Sequence, residues 1–235
     1  MTKPVIISLC DRTGNMVKPW ADAGYECWCI DIQHSIRKIK RKGNIVYQWG
    51  DVRTWTPPAI IRNRIYMIFA FPPCTHVAVS GARDFRIKGT AMLRDSLEMF
   101  SSCEHAGKWA GVPYMIENPV GKFSSHMGKP DHTFQPWMYG DNYQKLTCLW
   151  TGNGFVMPPP LVTEKPADVE QSIWLMSPSK DRGDKRSISP MGFARAVFEA
   201  NSPNRYLEDK CGVCSGSGIM PKVHDVDGFY EEATQ

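Results

Sequence analysis

The stretch Ile65-Tyr66-Met67-Ile68-Phe69-Ala70-Phe71-Pro72-Pro73-Cys74 carries the reading of this chain. Its uninterrupted apolar run, rich in β-branched and aromatic residues, predicts a strand buried on both faces. The two prolines that follow hold φ at about −65° and remove N–H donors, so the strand stops and the loop behind it is stiff. Cys74 is thereby held at a strand's carboxyl end, where open α/β sheets bind ligands. Taken alone, an inert half-buried thiol beside a Pro-Pro turn has the same local pattern, and the neighbouring segments decide between the two.

Upstream, Pro4 to Leu9 forms a first apolar run, broken by Asp11-Arg12-Thr13-Gly14-Asn15 and followed by a helix predicted over Met16 to Ala23. The run Cys27 to Ile30 ends at Asp31, and the run Asn44 to Trp49 ends at Gly50-Asp51. Downstream, Ala91 to Trp109 has helical spacing (Met92, Leu93, Leu97, Phe100), and Tyr114-Met115-Ile116 leads into Glu117-Asn118-Pro119. Strands alternating with helices predict an α/β fold with a mostly parallel sheet covered on both faces. Residues 122–189 are loop-rich and aromatic, with strands expected at Phe134 to Met138, Lys145 to Trp150 and Gly154 to Met157. That interval is too short for a core of its own, so it is read as an elaborated edge of one domain spanning residues 1–206. A helix is expected over Pro190 to Ala200, opened by its proline. Residues 207–235 form a polar, Gly-containing tail.

A length of 235 residues allows one sizeable core. The formal charge of +4 permits a polyanionic partner without requiring one. Eight scattered cysteines do not form the dense framework of a small secreted domain, which places the chain in a reducing cytoplasm. No cleavage-type signal follows the start and no apolar run reaches membrane-spanning length, so a soluble protein without a membrane partner is expected. The tail's Cys211-Gly-Val-Cys214 has the spacing of half a zinc site, with only His224 nearby. No metal is assigned, and these two cysteines are the residues that would hold zinc if distant ligands completed the set. Arg37, Lys38, Lys40, Arg41 and Lys42 form a basic run that is either a solvated face or a surface that tracks phosphates.

The first turn contains Gly14, and Asp31 follows at about the twenty-residue interval typical of a carboxylate that binds ribose hydroxyls. Asp51, at the next strand end, is placed to accept from an adenine amino group, although strand-terminal aspartates also cap turns. There is no G-x-G-x-x-G, which favours an adenosine ligand without a pyrophosphate, such as S-adenosylmethionine.

In order, Ser8-Leu9-Cys10-Asp11-Arg12-Thr13-Gly14, Asp31, Gly50-Asp51, Pro72-Pro73-Cys74 and Glu117-Asn118-Pro119 resemble the motifs of DNA cytosine-5 methyltransferases, in particular small bacteriophage-type members. The resemblance covers about the first 150 residues and, weakly, Arg186 to Asn201. It implies a Rossmann-like S-adenosylmethionine-dependent methyltransferase fold with a mostly parallel mixed sheet and a small recognition elaboration. The implied activity is methyl transfer to carbon 5 of a cytosine flipped out of DNA, in the host cytoplasm if the chain is phage-encoded. Cys74 would be the thiolate that adds to carbon 6, and Glu117 the carboxyl group that stabilises the ring at N3. Leu9, Cys10, Asp11, Thr13, Gly14, Asp31, Ile32, Asp51, Val52 and Pro72 would hold the cofactor. Pro73, Ser80, Arg83, Asn118 and Lys145 would meet the substrate. Gln144-Lys145-Leu146-Thr147 resembles the family's later Gln/Arg-rich motif, with lysine where an arginine is usual, which removes a bidentate donor. The same chemistry on RNA or a free cytidine nucleotide, transfer of a different group from a modified cofactor, and a non-catalytic nucleic-acid-binding role are the competing readings. The target sequence and the oligomeric state are not written in these motifs.

Overall fold

The computed structural model describes residues 3–78, 85–170 and 188–203. Ser80, Arg83, Cys211, Cys214 and His224 lie outside the described residues. The described residues up to Ser202 belong to one compact unit; Pro203–Gln235 is divided off as a second, of which only Pro203 is described.

Strand β1 (Val5–Leu9) is buried along its whole length, as a central strand that is apolar except for Ser8 can be. It pairs in parallel with β2 (Glu26–Ile30) on one side and β5 (Ile65–Ala70) on the other. Beyond β2 lies β4 (Ile45–Gln48), also parallel, and then the short antiparallel edge strand β3 (Lys40–Lys42). Beyond β5 lie parallel β6 (Tyr114–Pro119), then antiparallel β8 (Thr147–Gly152) and β7 (His132–Phe134). The eight-stranded order is β3-β4-β2-β1-β5-β6-β8-β7, so the chain winds one way from β1 and the other way from β5. This is a Rossmann-like α/β fold, mixed but mostly parallel, with its topological switch point between β1 and β5.

Helices cover both faces. Ile6, Cys27, Cys29, Met67, Phe69, Met115 and Leu149 face a core completed by α1 (Lys18–Asp22) and α5 (Met191–Asn201). Val5, Ile7, Leu9, Trp28, Ile30, Ile68 and Ile116 face the other, completed by α2 (Ala59–Arg62), α3 (Phe85–Ala110) and α4 (Phe123–His126). The alternation Val5, Ile7, Leu9 against Ile6 is the period-two signature of a strand. Gly89, at φ 70° and ψ −179°, interrupts α3 near its start. Among the described residues no helix is long and apolar enough to cross a membrane.

The elaboration after Gly121 departs from its expected strands. The run Phe134 to Met138 stops being a strand at Phe134, because Pro136 cannot donate to a ladder and instead starts a 3₁₀ turn over Pro136–Tyr139. The strand expected over Gly154 to Met157 does not form. Asn153 and Gly154 take φ of 51° and 84°, and both backbone groups of Val156 are bound by the Asn201 side chain, each at 2.8 Å. The helix expected over Met16 to Ala23 is confined to Lys18–Asp22, and β3 was not legible in a run of cations.

Trp20 of α1 is fully buried, edge-on to Tyr25 at 5.1 Å and to Phe198 of α5 at 5.1 Å. It joins two helices to β5 through Phe69. Trp20→Ala is expected to lower stability by about 3–5 kcal/mol, read as a shift of the urea unfolding midpoint.

Candidate active site

Because β1, β2, β4, β5 and β6 run in parallel, their carboxyl ends bring Asp11, Asp31, Asp51, Cys74 and Glu117 to one rim of the sheet. The turn after β1 is organised by Asp11, which is buried. One of its oxygens accepts the Thr13 and Gly14 N–H groups at 2.8 and 2.7 Å, and the other accepts the Ser8 hydroxyl at 2.7 Å. The Asp11 side chain therefore shapes the turn from within, and the backbone it holds is what faces the rim. Cys10 adopts φ 55° and Gly14 φ 74° in this turn. A Cβ at Gly14 would lie 2.8 Å from the Tyr47 hydroxyl, so glycine is required both for conformation and for space.

Asp31 is also buried, and its carboxylate accepts the Gln33 N–H at 2.7 Å. Burial raises its pKa, against the lowering effect of that hydrogen bond and of His34. Ile32 beside it is 61% exposed, an apolar side chain left uncovered next to a buried carboxylate. Asp51 differs: the Arg53 guanidinium forks onto both its oxygens, with Nε at 2.9 and 3.2 Å, and holds its carboxyl below the usual range. An adenine at Asp51 would have to share the carboxylate with Arg53, a partner the sequence reading missed although it stands only two residues on. A cavity of about 420 Å³ starts at Leu9 and Val52 and runs between the loop of Arg53 to Pro57 and the α3 residues Ser101, His105 and Trp109. It reaches neither Cys74 nor Glu117.

The second half of the rim joins β5 to β6. Asn118 Nδ2 donates to the Pro72 carbonyl at 2.7 Å, Lys122 N–H to the Val77 carbonyl at 2.8 Å, and Ala78 bridges Gly121. A Cβ at Gly121 would sit 2.3 Å from the Val77 oxygen, so glycine permits the two loops to touch. The Cys74 loop and the Glu117-Asn118 segment are thus tied together, with Pro72 buried and Pro73 exposed. Cys74 is half-buried, whereas Cys27, Cys29, Cys103 and Cys148 are buried. Burial pushes the Cys27, Cys29 and Cys148 thiols up; for Cys103 the foremost cause of its rise is a hydrogen bond with Cys10. Those four are poor thiolates.

Lys145, from the loop before β8, stands 3.4 Å from Glu117 Oε1, both side chains largely buried. The pair is close in charge but outside hydrogen-bond geometry, so Glu117 Oε1 remains without a donor. Asn118 Oδ1, Gln144 Nε2 and His76 Nδ1 are likewise buried without a hydrogen-bond partner. Of the six such side-chain atoms among the described residues, these four lie on the Cys74 loop, the Glu117-Asn118 segment and the Gln144-Lys145 segment. No sequence pattern announces them. Among the described residues no cluster of three or more His, Cys, Asp or Glu side chains is arranged to hold a metal ion.

No protein-family model matches the chain, and no curated protein matches it. Among solved structures, it is similar to the glycopeptide N-methyltransferase MtfA at 9% identity and a TM-score of 0.30, over 64% of this chain and 66% of that one. It is also similar to an imine reductase variant from Myxococcus stipitatus with NAD+, at 14% identity and a TM-score of 0.21, over 52% of this chain and 42% of that one. The chain spans less than two thirds of the length of either.

The buried Asp31 gives a pH prediction with a definite sign. Its folded-state pKa is raised, so ionisation penalises the native state; the penalty is absent below the ordinary aspartate range and complete above the raised value. Asp31→Asn, which keeps an acceptor for Gln33, should therefore be more stable than the parent at neutral pH. The gain should vanish as pH falls through that window, a trend checked by urea titrations across pH.

Proposed function

We propose that this chain is a DNA cytosine-5 methyltransferase that uses S-adenosylmethionine. The observation that carries the reading is that, among the described residues, buried side-chain atoms without a hydrogen bond collect on the Cys74 loop and on the Glu117-Asn118 and Gln144-Lys145 segments linked to it. A buried polar group without a partner costs about 1–3 kcal/mol, so four on adjoining segments are expected to be met by a ligand. Their chemistry matches the polar edge of cytosine: Glu117 Oε1 and Asn118 Oδ1 accept, as the exocyclic amine requires, and Gln144 Nε2 donates, as the ring carbonyl requires.

The half of the rim at β1, β2 and β4 fits the cofactor. Asp31 is a buried acceptor suited to ribose hydroxyls, and the exposed Ile32 and half-buried Val52 offer apolar surface to a purine. The Thr13-Gly14 backbone, held by Asp11, brings main chain close to the ligand. S-adenosylmethionine, when bound, supplies an electrophilic methyl group.

Carbon 5 of cytosine is a weak nucleophile. Bonding of the Cys74 thiolate to carbon 6 moves the ring's electron pair toward carbon 5 and N3, and a proton that the Glu117 carboxyl group donates to N3 neutralises the negative charge that appears there. After carbon 5 gains the methyl group it loses its proton to a base, and the electron pair left behind expels the Cys74 thiolate. Lys145 stands 3.4 Å from Glu117 Oε1, so both side chains reach the same buried position. The stiff Pro72-Pro73 loop, pinned by Asn118, fixes where the sulfur sits. A non-catalytic role would leave the juxtaposition of a reachable thiol with a buried carboxylate unused.

Cys74→Ala is expected to abolish 5-methylcytosine formation while leaving S-adenosylmethionine binding nearly intact. Glu117→Gln should lose about 10²–10³-fold in single-turnover rate and still fold. Mass analysis of nucleosides from DNA and RNA of expressing cells checks both variants and the substrate together. Wild-type levels of 5-methylcytosine from Cys74→Ala would remove the assignment, and modification confined to RNA would replace DNA as the substrate.

A further inference from the structure

The crossover from β2 to the edge strand β3 is the strongest charge feature of the described residues. Arg37, Lys38, Lys40, Arg41 and Lys42 are all exposed, and residues 32–43 contain no acidic side chain. The whole chain carries a formal charge of only +4, so these five cations exceed it and the remainder is near neutral. Arg41 lies 5.9 Å over the Trp28 ring and 4.0 Å from Glu26, whereas the other four make no ion pair among the described residues.

Lysines on a short edge strand commonly block strand-to-strand aggregation, which accounts for β3 itself. It does not account for Arg37 and Lys38, which precede β3 in the segment passing from β2 toward the outer edge. That segment begins at Asp31 on the active-site rim and is tied to the first turn. Gln33 accepts from Arg12 at 3.2 Å, and His34 Nε2 lies 3.1 Å from the Asp11 carbonyl while its ring packs edge-on against Tyr47. The cations are therefore held in register with the site.

We infer that residues 32–42 form a phosphate-contacting ribbon that grips DNA beside the target cytosine, a step that rests on the DNA methyltransferase reading. In the sheet order, four strand-to-strand steps separate β3 from β5, whose end carries Cys74. At roughly 4.8 Å a step the ribbon stands about 19 Å from the nucleophile's strand. At about 3.4 Å per base pair, that offset corresponds to five or six base pairs of flanking duplex. The ribbon grips backbone, not bases, so its contribution is independent of the flanking sequence.

The test replaces Arg37, Lys38, Lys40 and Lys42 together by Gln and leaves Arg41 on Trp28. Binding to duplex DNA is titrated against salt, with long duplexes and with duplexes trimmed to about three base pairs on each side of the cytosine. The expected result is a salt slope smaller by about 2–3 units for the variant on long duplexes, and the same weakening when the wild type meets the trimmed ones. S-adenosylmethionine affinity and turnover at saturating DNA should stay unchanged. If the wild type binds DNA and the variant keeps its slope, the ribbon assignment is overturned while the methyltransferase reading stands. If the wild type binds no DNA, that reading fails and the ribbon falls with it. Loss of binding seen only with RNA or with phosphatidylserine-containing vesicles overturns the ribbon as a DNA contact.

Discussion

A parallel sheet buried on both faces leaves only its rim for polar chemistry, and the rest of this molecule follows from that constraint. The strands β1, β2, β4, β5 and β6 are mostly apolar, so most of their side chains serve packing. Each strand changes character where it leaves the helical layers: Asp11, Asp31, Asp51, Cys74 and Glu117 all stand at or just beyond a carboxyl end. Reversal of the winding between β1 and β5 sends the connecting segments to opposite sides, which is where open α/β sheets place their ligands.

Polar groups on that rim divide by how fully they are satisfied. Asp11 has donors on both oxygens and serves the fold, since without it the Thr13 and Gly14 N–H groups and the Ser8 hydroxyl would lose their acceptor. Glu117, Asn118 and Gln144 keep buried atoms unmatched and so weaken the unliganded protein. Asp31 belongs with them, because burial works against its charge. Such costs are tolerable because the loops carrying them are held by independent contacts, Asn118 to Pro72 and Lys122 to Val77. Burial separates the thiols as well: Cys27, Cys29, Cys103 and Cys148 lie buried among apolar residues, whereas Cys10 and Cys74 are half-buried.

The basic ribbon gives the fold a second use of its edge. An edge strand has to be protected from pairing with another chain, and cations serve that end at β3. The same charges extend along the preceding segment, which Gln33 and His34 anchor to the first turn; on the proposed reading this is where the substrate's backbone is gripped.

The sequence by itself determined the parallel core. Buried strands are local runs of apolar residues, and Pro4 to Leu9, Cys27 to Ile30, Asn44 to Trp49 and Ile65 to Ala70 appear as β1, β2, β4 and β5 with small changes of boundary. The helix opened by Pro190 was legible for the same reason, since proline acts through its own backbone. Phe134 to Met138 departs from a strand for a local reason, since Pro136 within it turns the chain, and Gly154 to Met157 for a remote one, since Asn201 takes both polar groups of Val156. Cys74 and Glu117 could be named from their motifs, but their joining through Asn118 and Pro72 and the pairing of Lys145 with Glu117 belong to the tertiary structure, whereas the diversion of Asp51 to Arg53 is local. Period and punctuation are properties of neighbours in the chain, whereas satisfaction of a buried polar atom depends on which distant segment folding brings within about 3 Å of it.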